Sequence, residues 1–305
     1  DLIYAVRDAG LTGRGGAGFP TSRKLAAVAG RRPVVVGNGA EGEPLSGKDA
    51  VLLSVAPHLV LDGLDAVADA VGADRVYLYA PASAIPAVRY ALDERCGQRY
   101  DVRVVEAPDT FVAGEESAVI SRLEGRPARP RDRVVTPAVS GFRGRPTVVN
   151  NVETLAHLAL IARYGAAWFR SVGSGDAPGT MLVTLSGAVR RPGVFEVPTG
   201  IRLTEVIGTC GGADPHRVQA VLVGGVFKHE FGAQRRQVGL LILVRQVQRV
   251  HVHDALREST HTGASIAIHH ASGAVPIDQG AEQPIARGAI GVRADQGQQL
   301  GFIAQ

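Results

Sequence analysis

Residues 34–44 read Val34-Val35-Val36-Gly37-Asn38-Gly39-Ala40-Glu41-Gly42-Glu43-Pro44. A run of valines followed at once by glycines and carboxylates predicts a buried strand over Pro33–Val36 that ends in a polar turn. On its amino side, Leu2–Ala9 spaces its apolar residues as a helix stopped by Gly10, and Thr21–Ala29 reads as a second helix. On its carboxyl side, His58–Val71 is helical and Arg75–Tyr79 is a strand. Ile85–Arg95 is then helical, Val102–Val105 a strand and Glu115–Leu123 a helix. Such alternation argues for an α/β fold with a parallel sheet covered by helices over residues 1–170. The acids after Val36 then lie at the carboxyl end of a parallel strand, where these sheets bind ligands.

Further out, Arg126–Pro137 is rich in proline and arginine and is expected to be a loop. Asn150–Tyr164 reads as a long helix, and Ser171–Pro178 as a linker. The pattern then changes. Met181–Ser186 is a strand, Ala188–Gly193 a turn and Val194–Val197 a second strand. Leu203–Thr209 is a short helix and Ala220–Val223 a strand, which predicts a small α+β module over 178–226. From Phe227 the composition shifts towards histidine and glutamine. Only Val238–Val250 approaches an apolar helical stripe, so 227–305 is an unassigned tail expected to be loosely packed.

With 305 residues, 45% of them hydrophobic, the chain has room for about two domains. A net charge of +4 without any basic run interleaved with aromatics argues against a nucleic-acid partner. No apolar run reaches the length of a bilayer span, and the first residues do not read as a signal peptide; a cytoplasmic chain without direct membrane insertion is expected. Cys96 and Cys210 are the only cysteines. Two thiols cannot hold a four-cysteine iron–sulfur cluster, and the histidines recur at no metal-binding spacing, so no metal site is expected.

Four motifs carry possible chemistry. Gly13-Arg14-Gly15-Gly16-Ala17-Gly18-Phe19 brings glycines whose backbone can approach an anion, and Lys24 follows about one helical turn later. This loop follows a helix rather than a strand, so it is no dinucleotide fingerprint, and alone it is equally a flexible loop. Asn38, Glu41 and Glu43 offer polar groups after a strand end, or simply a solvated turn. Gly114-Glu115-Glu116 precedes a helix, where acids also serve the helix dipole. Asn150-Asn151 precedes another, where asparagine also serves as a cap.

The order and spacing of these motifs are more specific than any one of them. GLTGRGGAGFPTSRKL, NGAEGEP followed by Lys48-Asp49, AGEESAVISRLEGRP and PAVSGFRGRPTVVNNVETL resemble the NADH-binding flavoprotein subunit of respiratory complex I, the NADH-quinone oxidoreductase. NAD-linked hydrogenases and formate dehydrogenases share the pattern. The resemblance covers residues 1–170, and Met181–Gly225 resembles the β-grasp module, of SLBB type, that follows the flavin domain in that family. It implies a Rossmann-like FMN-binding domain, NAD(H) as substrate, and an iron–sulfur or other electron-acceptor subunit as partner, peripheral on the inner face of a membrane complex. It places Gly13, Arg14, Gly15, Gly16, Gly18 and Lys24 at the flavin phosphate and ring. Asn38 and the Gly114–Glu116 segment, with Gly114 and Glu115, would line the isoalloxazine, Asn150 and Asn151 would contact the phosphoryl tail, and Glu41 and Phe111 would be further cofactor-binding residues. Phe19 would stack on the nicotinamide, and Glu116 and Glu43 would be the catalytic contacts on that side.

The departures from the family fall on the nicotinamide side. An aspartate expected before Glu41 is Ala40, an aromatic expected after Lys24 is Ala27, and a tyrosine is Phe111. Arg133 replaces a lysine and Thr136 an aromatic. Each lost stacking partner costs roughly 0.5–1.5 kcal/mol. The cysteine motif of the family's helical domain has no counterpart in the tail.

Overall fold

The computed structural model describes residues 1–43, 45–97, 99–132, 135–187 and 189–214, and the backbone of two further strands, Ala220–Val223 and Leu241–Arg245. The first helix, α1 (Leu2–Ala9), starts where Asp1 accepts a 2.9 Å bond from the Ile3 amide and stops at Gly10 in the left-handed region. Helix α2 (Thr21–Ala26) is shorter than the sequence predicts, because Ala27–Gly30 tighten into turns. Then come β1 (Val34–Asn38), α3 (Lys48–Val55), α4 (Pro57–Val71), β2 (Arg75–Pro81), α5 (Ile85–Asp93) and β3 (Val102–Ala107). Helix α6 (Glu116–Leu123), β4 (Thr147–Asn151) and α7 (Val152–Arg170) complete the first domain.

The four strands form one parallel sheet in the order β3-β2-β1-β4. Side chains alternate across it. Val35, Val76, Leu78 and Val148 face a large apolar layer built with α1, α4 and α7. Val34, Val36, Tyr77, Tyr79 and Val149 face a smaller one with Val119 and Ile120 of α6 and with Phe142. Both faces are buried, as crossover helices require. Helices α4 and α7 approach so closely at Gly63 that an added Cβ would lie 2.0 Å from the Leu155 carbonyl oxygen.

Two elements depart from the sequence reading. Periodicity gives no helix at 48–55, yet α3 is there, and it buries Lys48 and Asp49 along with Leu52 and Leu53. The pattern also runs a helix from Asn150, whereas Asn150 and Asn151 end β4 and the helix starts at Val152. Only two clear apolar residues, Val148 and Val149, mark that strand, too few for an alternation. Helix α7 breaks at Gly165, with φ 85° and ψ 171°, just after the end that the sequence predicts. Among the described residues no single helix is long and apolar enough to cross a membrane; α3 and α4 are bent by 95° at their break.

The second module has its own core of Val183, Leu185, Val197, Val206 and Ile207. Strand β5 (Thr180–Gly187) pairs antiparallel with β6 (Gly193–Pro198), and a helical turn Leu203–Glu205 runs into a π-turn Val206–Cys210. Strands β7 (Ala220–Val223) and β8 (Leu241–Arg245) extend the sheet to the order β6-β5-β8-β7. Strand β8 falls inside 227–305 and inside the stretch whose apolar residues approach a helical stripe; there the backbone is extended and paired with both β5 and β7. The expectations for the rest of the tail lie outside the described residues.

Candidate functional site

Chain direction out of the sheet reverses at β1: β2 and β3 lie to one side, β4 to the other. The carboxyl ends of β1 and β4 are therefore the switch point at which open parallel sheets bind ligands. There Gly37 is in register with Asn150, and Asn38 with Asn151. The glycine loop closes against this edge. Thr12 and Pro20 bridge its ends, and the Gly13 amide donates to the Phe19 carbonyl at 2.9 Å. The Arg14 amide donates to Thr154 Oγ1 at 2.9 Å, and a Cβ at Gly15 would lie 3.2 Å from that of Asn151. Gly16 (φ 104°) and Gly18 (φ 58°) hold conformations that L side chains resist.

The open side of this cradle carries most of the predicted residues. Lys24 Nζ reaches the Val149 carbonyl at 2.6 Å and Glu116 Oε1 at 2.9 Å, with both side chains about one-third exposed. Asn38 Nδ2 donates to the Gly114 carbonyl at 2.9 Å, and its Oδ1 accepts from the Ala40 amide. These bonds clamp the loop after β1 to the segment before α6. The two backbones almost touch: a Cβ at Gly42 would lie 2.5 Å from the Phe111 carbonyl oxygen, and one at Gly114 2.8 Å from that of Ala40. Phe19 and Phe111 are 52% and 39% exposed. Glu43 is half-buried in the same loop. Asn150 is buried at the end of β4, and its Nδ2 finds no hydrogen-bond partner among the described residues.

Three predicted residues are committed elsewhere. Glu115 caps α6, accepting from the Ser117 and Ala118 amides at 2.9 and 3.0 Å, a service worth about 1 kcal/mol. The Arg14 guanidinium turns inward, to Thr12 Oγ1 at 3.2 Å and the Pro178 carbonyl at 3.3 Å. Glu41 also looks back: its carboxylate accepts from the Ser46 hydroxyl and, at 3.5 Å, from the Ala50 amide. Burial, with help from Asp49 and against Ser46 and Lys48, pushes its carboxyl up to about 7.

Behind the cradle lies a buried ionic cluster absent from the predicted site. Lys48 Nζ meets Asp49 Oδ1 at 2.6 Å, Glu153 Oε2 at 2.9 Å and Asn151 Oδ1 at 3.3 Å. Burial alone pulls its ammonium down, but the two carboxylates outweigh it and hold it above the usual lysine range. Asn151 is saturated. Its Oδ1 also accepts from the Glu153 amide at 3.0 Å, and its Nδ2 donates to Asp49 at 2.5 Å and to the Asn38 carbonyl at 3.3 Å. It does cap α7, as the sequence allows, and has no spare polar capacity for a phosphoryl group. Glu153 Oε1 accepts from the Leu182 amide of β5 at 2.8 Å, and the Gly47 amide donates to Thr184 Oγ1 at 3.2 Å. His157 packs edge-on against Phe169, and burial, with Arg14 and Lys48, pulls its imidazole down to about 3. Besides Lys48-Asp49, which fall in one of the motifs quoted above, the sequence signal for this cluster is Glu153 and His157 four residues apart in the mostly apolar first half of α7: buried charge demands a partner.

Residues 6–160 match the family model Complex1_51K, the Nuo51 FMN-binding domain, and residues 182–222 match the SLBB domain. A subunit of the NADH-quinone oxidoreductase of Rhizobium meliloti (strain 1021) is 39% identical over 74% of this chain and 58% of that protein. The alpha subunit of the NAD-reducing hydrogenase HoxS of Cupriavidus necator is 35% identical, over 72% of this chain and 39% of its own length. A crystal structure of an air-oxidised NAD+-reducing [NiFe]-hydrogenase superimposes with a TM-score of 0.73 at 36% identity, covering 81% of this chain and 47% of that one. The chain thus spans about half the length of the relatives it matches. With the switch-point cradle, the parallel sheet and the following module in agreement, the chain belongs to the Complex1_51K family, the Nuo51 FMN-binding domain of the NADH dehydrogenase flavoprotein lineage.

Proposed function

We propose that this chain is a flavoprotein oxidoreductase subunit that binds FMN in the cradle, takes a hydride from NADH and passes electrons to an iron–sulfur or other acceptor on a partner subunit. The observation that carries the reading is Asn150, a buried amide donor at the carboxyl end of β4 with no hydrogen-bond partner among the described residues. Buried donors are nearly always satisfied, and a ligand acceptor would satisfy this one. The donor set fits a flavin mononucleotide: glycine-loop amides and one lysine for a phosphate, and two exposed aromatic rings near the mouth. FMN, when bound, supplies an acceptor that takes two electrons together and releases them singly. The protein's part is placement. Glu116 holds the Lys24 ammonium against the end of β4. Asn38 fixes the loop bearing Glu43, and Phe19 and Phe111 keep water from the mouth. Glu43 and Glu116 are our candidates for the contacts to nicotinamide. The names of the relatives above, an NADH-quinone oxidoreductase and an NAD-reducing hydrogenase, support the choice of nicotinamide.

A second reading is a flavin-binding or scaffolding homologue with an eroded nicotinamide site. It is favoured by Ala27 and Thr136, both exposed where the resemblance calls for rings. One experiment separates the two. The full chain is loaded with FMN and titrated anaerobically with NADH. Bleaching of the flavin absorbance is expected; a loaded protein that stays oxidised sinks the dehydrogenase reading and leaves the second. In Gly15→Val the bulkier side chain would meet Asn151, and flavin uptake should be lost; full occupancy in that variant would place the site elsewhere.

A further inference from the structure

The buried cluster behind the cradle joins three elements of the fold. Lys48 opens α3, Asn151 closes β4, and Glu153 lies in the first turn of α7. Asn151 touches the glycine loop from behind, at the position where a Gly15 side chain would have to go. Glu153 receives the backbone of β5, and the residue before Lys48 is held by Thr184 of the same strand. Arg14, from within the glycine loop, reaches the Pro178 carbonyl just before that strand. We propose that Lys48 is a positioning residue for the cofactor cradle: it braces Asn151 and, through Glu153, makes the docking of the second module set the affinity and redox potential of a flavin bound there.

The physical basis is that the cluster has no slack. Lys48 has three acceptors within 3.3 Å and is almost wholly buried, as are Asp49 and Glu153. Asn151 makes four bonds and cannot rotate without breaking several. A shift of β5 is therefore passed to Glu153, to Lys48 and to Asn151, and so to the loop in front of it. Displacements of about 1 Å in such a supporting shell suffice for large losses at a site. The cluster is also charged, and a reduced flavin carries more negative charge than an oxidised one. Removing the ammonium should make reduction harder, and removing a carboxylate should make it easier.

This inference rests on the flavin reading above, and the test keeps the two apart. FMN affinity and midpoint potential are measured on the full chain, on Lys48→Met, on Glu153→Gln and on Thr184→Val, with circular dichroism to confirm folding. Lys48→Met is expected to weaken FMN binding at least about tenfold and to lower the potential. Glu153→Gln, which keeps an acceptor for the Leu182 amide, should raise the potential. Thr184→Val, which lies in the second module, should weaken FMN binding by a smaller factor. If Lys48→Met does not fold, Lys48→Arg takes its place and should keep the wild-type potential while losing affinity. Potentials that move in the same direction in the lysine and glutamate variants overturn the proposal, as does wild-type FMN affinity in Thr184→Val. A wild-type chain that takes up no FMN defeats the flavin reading and the proposal with it.

Discussion

The open side and the buried back of the cradle are made of the same residue types used in opposite ways. In front, Lys24 and Glu116 form one pair that is a third exposed, and the Asn150 side-chain amide has no partner among the described residues. Behind, Lys48, Asp49 and Glu153 are almost fully buried, and Asn151 has every polar position filled. Exposed pairs contribute little to stability, typically about 0–1 kcal/mol, whereas breaking a buried one leaves an uncompensated charge. The front is thus free to exchange partners with a ligand, and the back is where the fold is committed.

The largest effect that breaks this contrast is expected from Glu153→Ala. It removes a partner of Lys48 and the acceptor of the Leu182 amide together. A loss of about 3–5 kcal/mol in denaturant unfolding is predicted; a loss below that of the surface variant Lys24→Gln would show that the cluster is not the committed part. Next in size is a dependence on pH. His157 is held near 3 against an ordinary 6.5, so its neutral form stabilises the fold above pH 6.5 and that contribution drains away as pH falls towards 3. Glu41 runs the other way. Its carboxyl is raised from 4.5 to about 7, so its contribution is complete below 4.5 and is lost as pH rises through about 7. Each slope is at most about 1.4 kcal/mol per pH unit. Stability profiles of Glu41→Gln should lose the decline between 4.5 and 7 and keep the acid limb; an unchanged profile would remove Glu41 as its source.

The finest comparison is between neighbours. Asn151→Ala leaves Lys48, Asp49 and the Glu153 amide each short of a bond and should cost about 1–3 kcal/mol in the flavin-free protein. Asn150→Ala removes a donor that has no partner among the described residues, so flavin-free stability should hardly change while FMN binding weakens. Equal stability losses in the two variants would erase the distinction between front and back.

The sequence showed the strands β1, β2 and β3 and the helices α1, α4 and α6 because each displays its apolar face on a regular period. Strand β4 escaped because its neighbours are prolines, arginines and asparagines, and the asparagines also fit a helix cap, which Asn151 indeed is. Helix α3 escaped because its first turn buries Lys48 and Asp49, and hydropathy counts both as surface. Strand β8 was hidden inside an unbroken apolar run, where helix and strand periods look alike. The site followed the same rule. Glycines and exposed side chains were found through the resemblance, but the split between Asn150 and Asn151 depends on partners more than a hundred residues away in sequence, such as Lys48 and Asp49. A local pattern holds no record of them.

The near-contact of the Gly39–Gly42 loop with the Phe111–Gly114 segment has a mechanical side. Backbone meets backbone there, at Gly42 against Phe111 and at Gly114 against Ala40, with Asn38 bonded across. No side chain lies between them to act as a cushion. The two segments are therefore geared together, and a ligand that pushes on Glu43 displaces the Phe111 ring in the same stroke. Opening of the mouth would be a single concerted movement that breaks the Asn38–Gly114 bond.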